Sequence, residues 1–192
     1  GPTTGQRLES LFTHIPGLRV LLPSTPREAY ALMRDALVTP GVTLFFEDRM
    51  IEDSGPWMEE DLRIGRLVEL GKSFTRMMGQ RGLGTIVTYG VMRQRVERLL
   101  REYKWDRDFY AEDNLRYDLI DLRSIYPLDF DYLRFMLQRT GKLLIIEPDI
   151  QYGGVGAEIA ATVVEEMPYV RVKRLGGKKA TIPAAMHLHN ET

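Results

Sequence analysis

Residues 142–173, KLLIIEPDIQYGGVGAEIAATVVEEMPYVRVK, decide the fold class of this 192-residue chain. The apolar run at 142–147 predicts a buried strand, the glycines that follow open a helix over 155–166, and 169–173 predicts another strand. A strand, a helix and a strand in this order form a crossover unit whose two strands lie parallel in one sheet. The stretch therefore predicts an α/β fold with helices packed on the sheet.

The preceding segments extend the same alternation. It predicts a hairpin at 64–70 and 73–78 around Gly71, and then, in order, a strand at 84–88, a helix at 91–103, a strand at 117–122 and a helix at 129–139. Such alternation is typical of a doubly wound, mostly parallel sheet. The polar segment 104–116 is longer than the usual loop between a helix and a strand, and it predicts a surface insertion.

The first third of the chain predicts a second, smaller α/β unit. Four apolar residues at helical spacing predict a first helix: Leu8, Leu11, Phe12 and Ile15. Strands are predicted at 18–22 and 42–46. Between them, Thr25, Pro26 and Glu28 form a capping-box pattern that starts a helix ending near Leu37. The acidic, aperiodic residues 48–61 predict a linker.

Composition excludes several classes of function. The chain has 26 Lys and Arg against 27 Asp and Glu, so a net charge of −1 removes a general electrostatic case for nucleic acid or an anionic membrane as partner. The absence of cysteine excludes disulfides, a thiolate nucleophile and cysteine-ligated metals. The longest apolar run, 143–146, is far shorter than a membrane span. We expect a soluble, intracellular type of globular protein with no nucleic-acid or membrane partner.

The glycine-rich turn at 153–156 is the most suggestive motif. A glycine turn between a strand and a helix can present backbone N–H groups to an anion, but the third glycine of the dinucleotide fingerprint is missing and no phosphate-binding lysine follows. Glycines here also permit a tight turn and close packing of the helix on the sheet. The second interpretation is favoured, with an anion or partner surface left open.

Other polar residues leave the chemistry undecided. His187 and His189, with Glu191 nearby, could hold a metal or belong to an exposed tail, and the tail is favoured. His14 is expected to pack or cap. Carboxylates near strand ends could form a site or cap helices; they are Asp118, Asp121, Glu147 and Asp149.

Several stretches, in order along the chain, resemble one known family. They are HIPGLRVLLPSTP at 14–26, DLRSIYPLD at 121–129 and GGVGAEIA at 153–160, with TIVTYG at 85–90 and GKLLIIEPD at 141–149 between them. In this order they resemble the beta subunit of the thiamine-diphosphate-dependent decarboxylase component of 2-oxo acid dehydrogenase complexes, whose usual members are the pyruvate and branched-chain enzymes. The resemblance covers nearly the whole chain.

The resemblance implies a division into parts. Residues 1–48 would form the end of a transketolase-like pyrimidine-binding domain, 49–61 a linker, and 62–192 a transketolase C-terminal-like domain. The full assembly would use thiamine diphosphate and Mg, with the diphosphate and Mg ligands on the alpha subunit or domain and the activating glutamate on an upstream part of the beta subunit. On this fragment alone we expect no cofactor and no activity.

One position departs from the family pattern. The family has a histidine lining the active site where this chain has Thr4, within Gly1-Pro2-Thr3-Thr4-Gly5. A threonine cannot act as an acid or base near neutral pH as imidazole does. Thr4 is therefore the one candidate catalytic residue, at a position where the family's histidine is replaced.

The resemblance also implies partners. These are the alpha subunit, a second beta chain in a homodimer contact, and the lipoyl acyltransferase core, whose small binding domain is basic. Glu165 and Glu166, at the end of the predicted helix 155–166, are candidates for the surface that receives it. Ordinary solvation of a helix end also explains them.

The function expected from the resemblance is oxidative decarboxylation of a 2-oxo acid with acyl transfer to lipoamide, with this fragment serving mainly subunit assembly. Two alternatives stay open: a non-catalytic assembly module, and a sister enzyme of the transketolase or deoxyxylulose-phosphate synthase type. The expected compartment is the bacterial cytoplasm or the mitochondrial matrix.

Overall fold

A computed structural model describes residues 7–48, 51, 70–77, 82–102 and 117–180. Within these ranges the chain forms two sheets. Among the described residues, the larger sheet has five strands and the smaller sheet has three. No helix in the described ranges is both long and apolar enough to cross a bilayer.

The larger sheet confirms the predicted doubly wound, mostly parallel arrangement. Its strands, in spatial order, are β3 (Phe74–Met77), β5 (Tyr117–Asp121), β4 (Gly84–Thr88), β7 (Lys142–Ile150) and β8 (Arg171–Gly177). β3 runs antiparallel to β5, whereas β5, β4, β7 and β8 run parallel. Its helices are α3 (Val91–Glu102), α4 (Phe130–Thr140) and α5 (Val155–Glu166).

Helices cover both faces of the larger sheet. Because successive side chains of a strand point to opposite faces, each strand contributes residues to two cores. Ile86, Leu119 and Leu144 pack with Val96 of α3 on one face. A larger core on the other face joins the strands to α4 and α5 through Val87, Ile120, Leu143, Ile145, Leu133, Leu137, Ile159 and Val163. The unbroken apolar runs in the sequence follow from this burial on both sides.

The smaller sheet contains the predicted crossover unit and one strand that was not predicted. β1 (Leu18–Leu21) and β2 (Val42–Phe45) pair in parallel around α2 (Pro26–Val38). β6 (Ser124–Tyr126) then pairs antiparallel with β1. This strand comes from the segment between β5 and α4, so the later part of the chain completes the earlier sheet.

The first helix is shorter than predicted. α1 spans only Glu9–Phe12, and Leu8, Leu11 and Ile15 are exposed. The apolar spacing was therefore misleading, because most of that stripe covers no core in the described structure. The buried side chain of α1 is instead Glu9, which is 1% exposed.

The capping box at α2 is half confirmed. The backbone N–H of Glu28 donates to the Thr25 hydroxyl at 3.2 Å, as predicted. The Glu28 carboxylate accepts from the N–H of Ser24 at 3.2 Å, one residue before the cap. It lies in a buried polar cluster described below. In a complete capping box the Glu28 carboxylate would accept from the backbone N–H of Thr25 instead.

Candidate functional site: the carboxyl edge of the larger sheet

The direction of the chain crossovers reverses between β4 and β7. From β4 the chain moves to β5 on one side, and from β5 it crosses back to β7 on the other. Ligands of doubly wound sheets bind at the carboxyl edge of such a switch point. Here that edge carries Tyr89, which follows β4, and Glu147 in the second half of β7, and both side chains are buried.

Glu147 occupies the N-terminus of α5. Its Oε2 accepts from the backbone N–H of Gly156 at 2.9 Å, and its Oε1 accepts from Arg174 at 3.1 Å. Burial raises the pKa of Glu147, and the hydrogen bond from Gly156 opposes this rise. The anion that the helix N-terminus attracts is thus a carboxylate of the same chain.

The glycines of the turn make this contact possible. A Cβ on Gly156 would lie 2.7 Å from Oε1 of Glu147, and one on Gly154 would lie 2.6 Å from the carbonyl oxygen of Ile150. Gly153 adopts a φ of +70°, which favours glycine. The favoured prediction of a tight turn with close packing is confirmed, and the anion at the turn is internal.

Around Glu147 lies a set of buried polar groups that we name the switch-point cluster: Glu9, Tyr89, Glu147 and Asp149. Neither the Tyr89 hydroxyl nor Oε2 of Glu9 has a hydrogen-bond partner among the described residues. Burial raises the pKa of Tyr89 well above its usual range, and the charge of Glu147 raises it further. Burial also raises the pKa of Glu9. A further negative charge at this edge of the sheet, on a side chain or on a ligand, is therefore unfavourable.

The switch-point cluster ties the N-terminal segment to the larger sheet. The hydroxyl of Ser10, in α1, donates to Oδ2 of Asp149 at 2.8 Å. Arg7 donates to Glu9 at 3.2 Å and also bonds Asp48. These contacts join α1 and the end of the smaller sheet to the carboxyl end of β7, so they hold the two sheets together.

A second buried set, which we name the junction cluster, consists of Ser24, Glu28, Arg93, Asp121 and Arg123. The Ser24 hydroxyl lies 2.5 Å from Oδ2 of Asp121 and also within hydrogen-bond distance of Glu28, and it accepts from Arg93 at 3.0 Å. Arg123 donates to Glu28 at 3.1 Å. The cluster links α2 with β5 and α3.

The junction cluster places two carboxyl groups beside a single hydroxyl. A hydroxyl has a single hydrogen, so Ser24 can donate to only one of the two carboxylates beside it. Burial, followed by the charge of Glu28, raises the pKa of Asp121 to about 7. A proton on one of the two carboxyl groups would let both of them hydrogen-bond the Ser24 hydroxyl, and carboxyl groups this close titrate as a pair.

The structure places the other predicted residues as follows. Asp118 lies near the start of β5, pairs with Arg139 and so does not belong to the carboxyl edge. His14 is exposed and lines an open cleft of about 430 Å³ beside Gly153, Gly154 and Glu158, so the predicted packing role is wrong. Thr4, His187, His189, Glu191, the first hairpin strand and the insertion 104–116 lie outside the described residues.

Comparison with known proteins identifies the family. The family described as "Transketolase, C-terminal domain" matches residues 84–192, which is more than half of the chain. The chain belongs to the transketolase C-terminal domain family.

Relatives of this transketolase-family chain extend the similarity to its N-terminal part. The 2-oxoisovalerate dehydrogenase subunit beta of Bacillus subtilis is 30% identical over 183 residues, which are 90% of this chain and 50% of that protein. The mitochondrial pyruvate dehydrogenase E1 component subunit beta-2 of Oryza sativa subsp. japonica is 30% identical over 192 residues, covering 98% of this chain and 49% of that protein. The chain thus spans about half the length of these curated relatives.

A solved structure supports the fold. A protein named "Split gene transketolase, inactive beta4 tetramer" superposes with a TM-score of 0.68 at 17% identity, over 94% of this chain and 55% of that one. At this identity the likeness concerns architecture alone. It agrees with the doubly wound sheet and confirms the predicted transketolase-like fold.

Sequence reasoning missed most of the two clusters. Asp121, Glu147 and Asp149 were noted as strand-end carboxylates, but Tyr89, Arg93 and Arg123 were not. The sequence held one signal of the junction cluster: the charged residues Asp121 and Arg123 stand at the end of an apolar strand. Their partners in α1 and α2 are distant in sequence, so no local pattern could have paired them.

Proposed function

We propose that this chain is the beta-subunit portion of a thiamine-diphosphate-dependent 2-oxo acid dehydrogenase component. The full enzyme would decarboxylate a 2-oxo acid oxidatively and transfer the acyl group to lipoamide. The observation that carries the proposal is the extent of the similarity: beta subunits match over 90% and 98% of this chain, and so over more than the C-terminal domain. A transketolase C-terminal domain alone would support only the superfamily.

Within that enzyme, we propose that this portion serves mainly subunit assembly. Its carboxyl edge is filled by its own Glu147 and Tyr89, whereas one face of α2 is apolar and open. Tyr30, Met33 and Leu37 line a groove of about 700 Å³, and Leu37 is 80% exposed. Exposed apolar surface of this kind marks an interface with another chain, here the alpha subunit or a second beta chain.

The described residues at the carboxyl edge of the larger sheet do not offer a site for the diphosphate of thiamine diphosphate. A diphosphate needs cations or free N–H groups. The N–H of Gly156 is taken by Glu147, and in the part of the chain that the structure describes the adjoining cleft has Glu158 and no lysine or arginine in its lining. We therefore place thiamine diphosphate and Mg elsewhere in the full assembly and derive no step through them.

We also propose that Glu165 and Glu166 receive the basic binding domain of the lipoyl acyltransferase core. Both are exposed at the end of α5. Glu166 pairs with Arg134 of α4, at 2.9 Å between Oε1 and the guanidinium, whereas Glu165 forms no ion pair with any described residue. Glu165 is therefore the more available carboxylate, and Glu166 would have to exchange Arg134 for a partner.

Charge reversal tests this docking surface. Glu165→Lys should weaken binding of the acyltransferase binding domain, and the loss should shrink as salt rises, because the attraction is electrostatic. Glu102→Lys, an equal charge change at the exposed end of α3, is the matched control. Equal affinity of Glu165→Lys and the wild-type chain at low salt would remove these residues from the interface.

A non-catalytic assembly module is the second candidate, and Thr4 favours it. Co-expression with the alpha subunit and with the upstream beta-subunit part that the family resemblance implies, followed by light scattering and a 2-oxo-acid-dependent decarboxylation assay, separates the two. A complex with turnover supports the enzyme component, and a complex without turnover supports the module. Turnover gained by Thr4→His would place this position in the active site. A chain that forms no complex would contradict both.

The α2 interface has its own test. Leu37→Asp places a charge on the apolar face without touching the core, because Leu37 is mostly exposed. It should shift the assembly toward smaller species in light scattering, while Leu99→Asp, at an exposed apolar position on α3, should not. Unchanged assembly in Leu37→Asp would move the interface away from α2.

A further inference from the structure

The larger sheet carries an open groove at the edge opposite the switch point. This amino-edge groove has a volume of about 490 Å³ and lies where β4, β5, β7 and β8 begin, on the face that α3 covers. Leu83, Ile86, Leu100 and Leu144 form its apolar floor. Neither buried cluster reaches this edge, so the groove is independent of the site described above.

Three cations line the amino-edge groove. Lys142 of β7 pairs in register with Arg171 of β8, and Leu144 pairs with Lys173, so the three positive side chains share one face. Adjacent strands lie roughly 4.8 Å apart, and like charges placed side by side destabilise a sheet. Lys142, Arg171 and Lys173 form no ion pair with any described residue, and no described acidic residue lines the groove.

Protection of a sheet edge does not explain this arrangement. Lysines on an edge strand discourage pairing with other chains, and β8 is an edge strand within the described sheet, which accounts for Arg171 and Lys173. Lys142 lies on β7, between β4 and β8. Its charge adds to the repulsion and protects no edge.

We propose that the amino-edge groove binds a small carboxylate with an apolar body, of the medium-chain fatty acid class. The apolar floor would hold the hydrocarbon chain, and the carboxylate would lie among Lys142, Arg171 and Lys173. A pocket of a few hundred Å³ with apolar walls and a few convergent polar groups is typical of small-molecule sites. Charge-assisted hydrogen bonds to the anion would relieve the repulsion among the cations.

Calorimetric titration of the full chain tests the proposal with three probes: octanoate, 1-octanol and acetate. Octanoate should bind, 1-octanol should bind several-fold more weakly because it lacks the charge, and acetate should give no measurable heat because it lacks the chain. Raising the salt concentration should weaken octanoate and leave 1-octanol unchanged. Equal binding of octanoate and 1-octanol would overturn the ionic part of the proposal.

Paired variants locate the site. Arg171→Gln with Lys173→Gln should weaken octanoate by roughly fivefold, given the strength of partly exposed ion pairs, without changing 1-octanol. Arg95→Gln with Arg98→Gln removes the same charge from exposed positions of α3 outside the groove and should have little effect. Equal weakening by both pairs would indicate a non-specific charge effect and refute the site.

Absence of octanoate binding to the full chain would also refute the proposal. That outcome includes the case in which another part of this chain, such as residues 103–116, fills the groove. Leu83→Asp gives an independent measurement, because it places a charge in the apolar floor at a partly exposed position. It should abolish binding of octanoate and 1-octanol alike while the unfolding transition of the chain is retained.

Discussion

Gly156→Ala offers the sharpest test of how α5 is attached to the sheet. Alanine normally stabilises a helical position by about 1 kcal/mol relative to glycine, so this substitution in the first turn of α5 would ordinarily be favourable. Here the added Cβ would lie 2.7 Å from Oε1 of Glu147 and 3.0 Å from the Cγ2 atom of Ile145. We therefore expect the sign to reverse.

The magnitude follows from what the Glu147 carboxylate would lose. To accept the Cβ it must move, which strains its bonds to the N–H of Gly156 at 2.9 Å and to Arg174 at 3.1 Å. Hydrogen bonds to charged groups contribute about 1.5–3 kcal/mol each. Weakening both, less the helix gain of about 1 kcal/mol, gives a net loss of about 2 kcal/mol in the free energy of unfolding.

Urea unfolding followed by circular dichroism, at fixed protein concentration, measures this free energy. The double variant with Glu147→Ala removes the obstacle, so the penalty of about 2 kcal/mol disappears and the helix gain of about 1 kcal/mol returns. The two substitutions together should therefore cost up to about 3 kcal/mol less than the sum of the single ones. Strictly additive costs, or a stabilised Gly156→Ala, would refute the contact between Glu147 and the helix N-terminus.

Three further predictions concern the two sheets and their junction. Asp121→Asn should flatten the pH dependence of stability. Burial raises the pKa of Asp121 from 3.8 to about 7, so its contribution to the free energy of unfolding grows as pH falls from 8 toward 4. The same change of urea-derived unfolding free energy with pH in variant and wild type would contradict this. Thr25→Ala should lower the free energy of unfolding in urea by about 1 kcal/mol, because it removes the N-cap of α2. Arg19→Met should free the turn after α2, where the guanidinium bonds the carbonyls of Thr39 and Pro40 at 2.9 Å, and hydrogen exchange there should speed up while that of β7 stays unchanged.

Elements with strong periodicity were predicted well. The helix at 155–166 and the strand at 84–88 have the predicted bounds, whereas β5 ends one residue before the predicted 122 and β7 continues three residues beyond the predicted 147. Their apolar runs are long because helices cover both faces. The first helix was overestimated and β6 was missed, since a three-residue strand, SIY, has no period to detect.

The candidate site was harder to predict because its members are far apart in the chain. Asp121 and Ser24 are 97 residues apart, yet their side chains lie 2.5 Å from each other. Ser10 and Asp149 are 139 residues apart and hydrogen bonded. Local patterns mark such residues as polar and near an element end, which is also true of ordinary caps.

The sequence by itself determined the fold class, because strand and helix periods and the glycine turn are local properties that each segment carries alone. It also pointed to the family through ordered motifs. Only the tertiary structure decided that Glu147 fills the N-terminus of α5, that two carboxylates share Ser24, and that three cations meet at the amino edge. Burial and strand register bring those groups together, and both are set by contacts between distant segments, which no single stretch of sequence encodes.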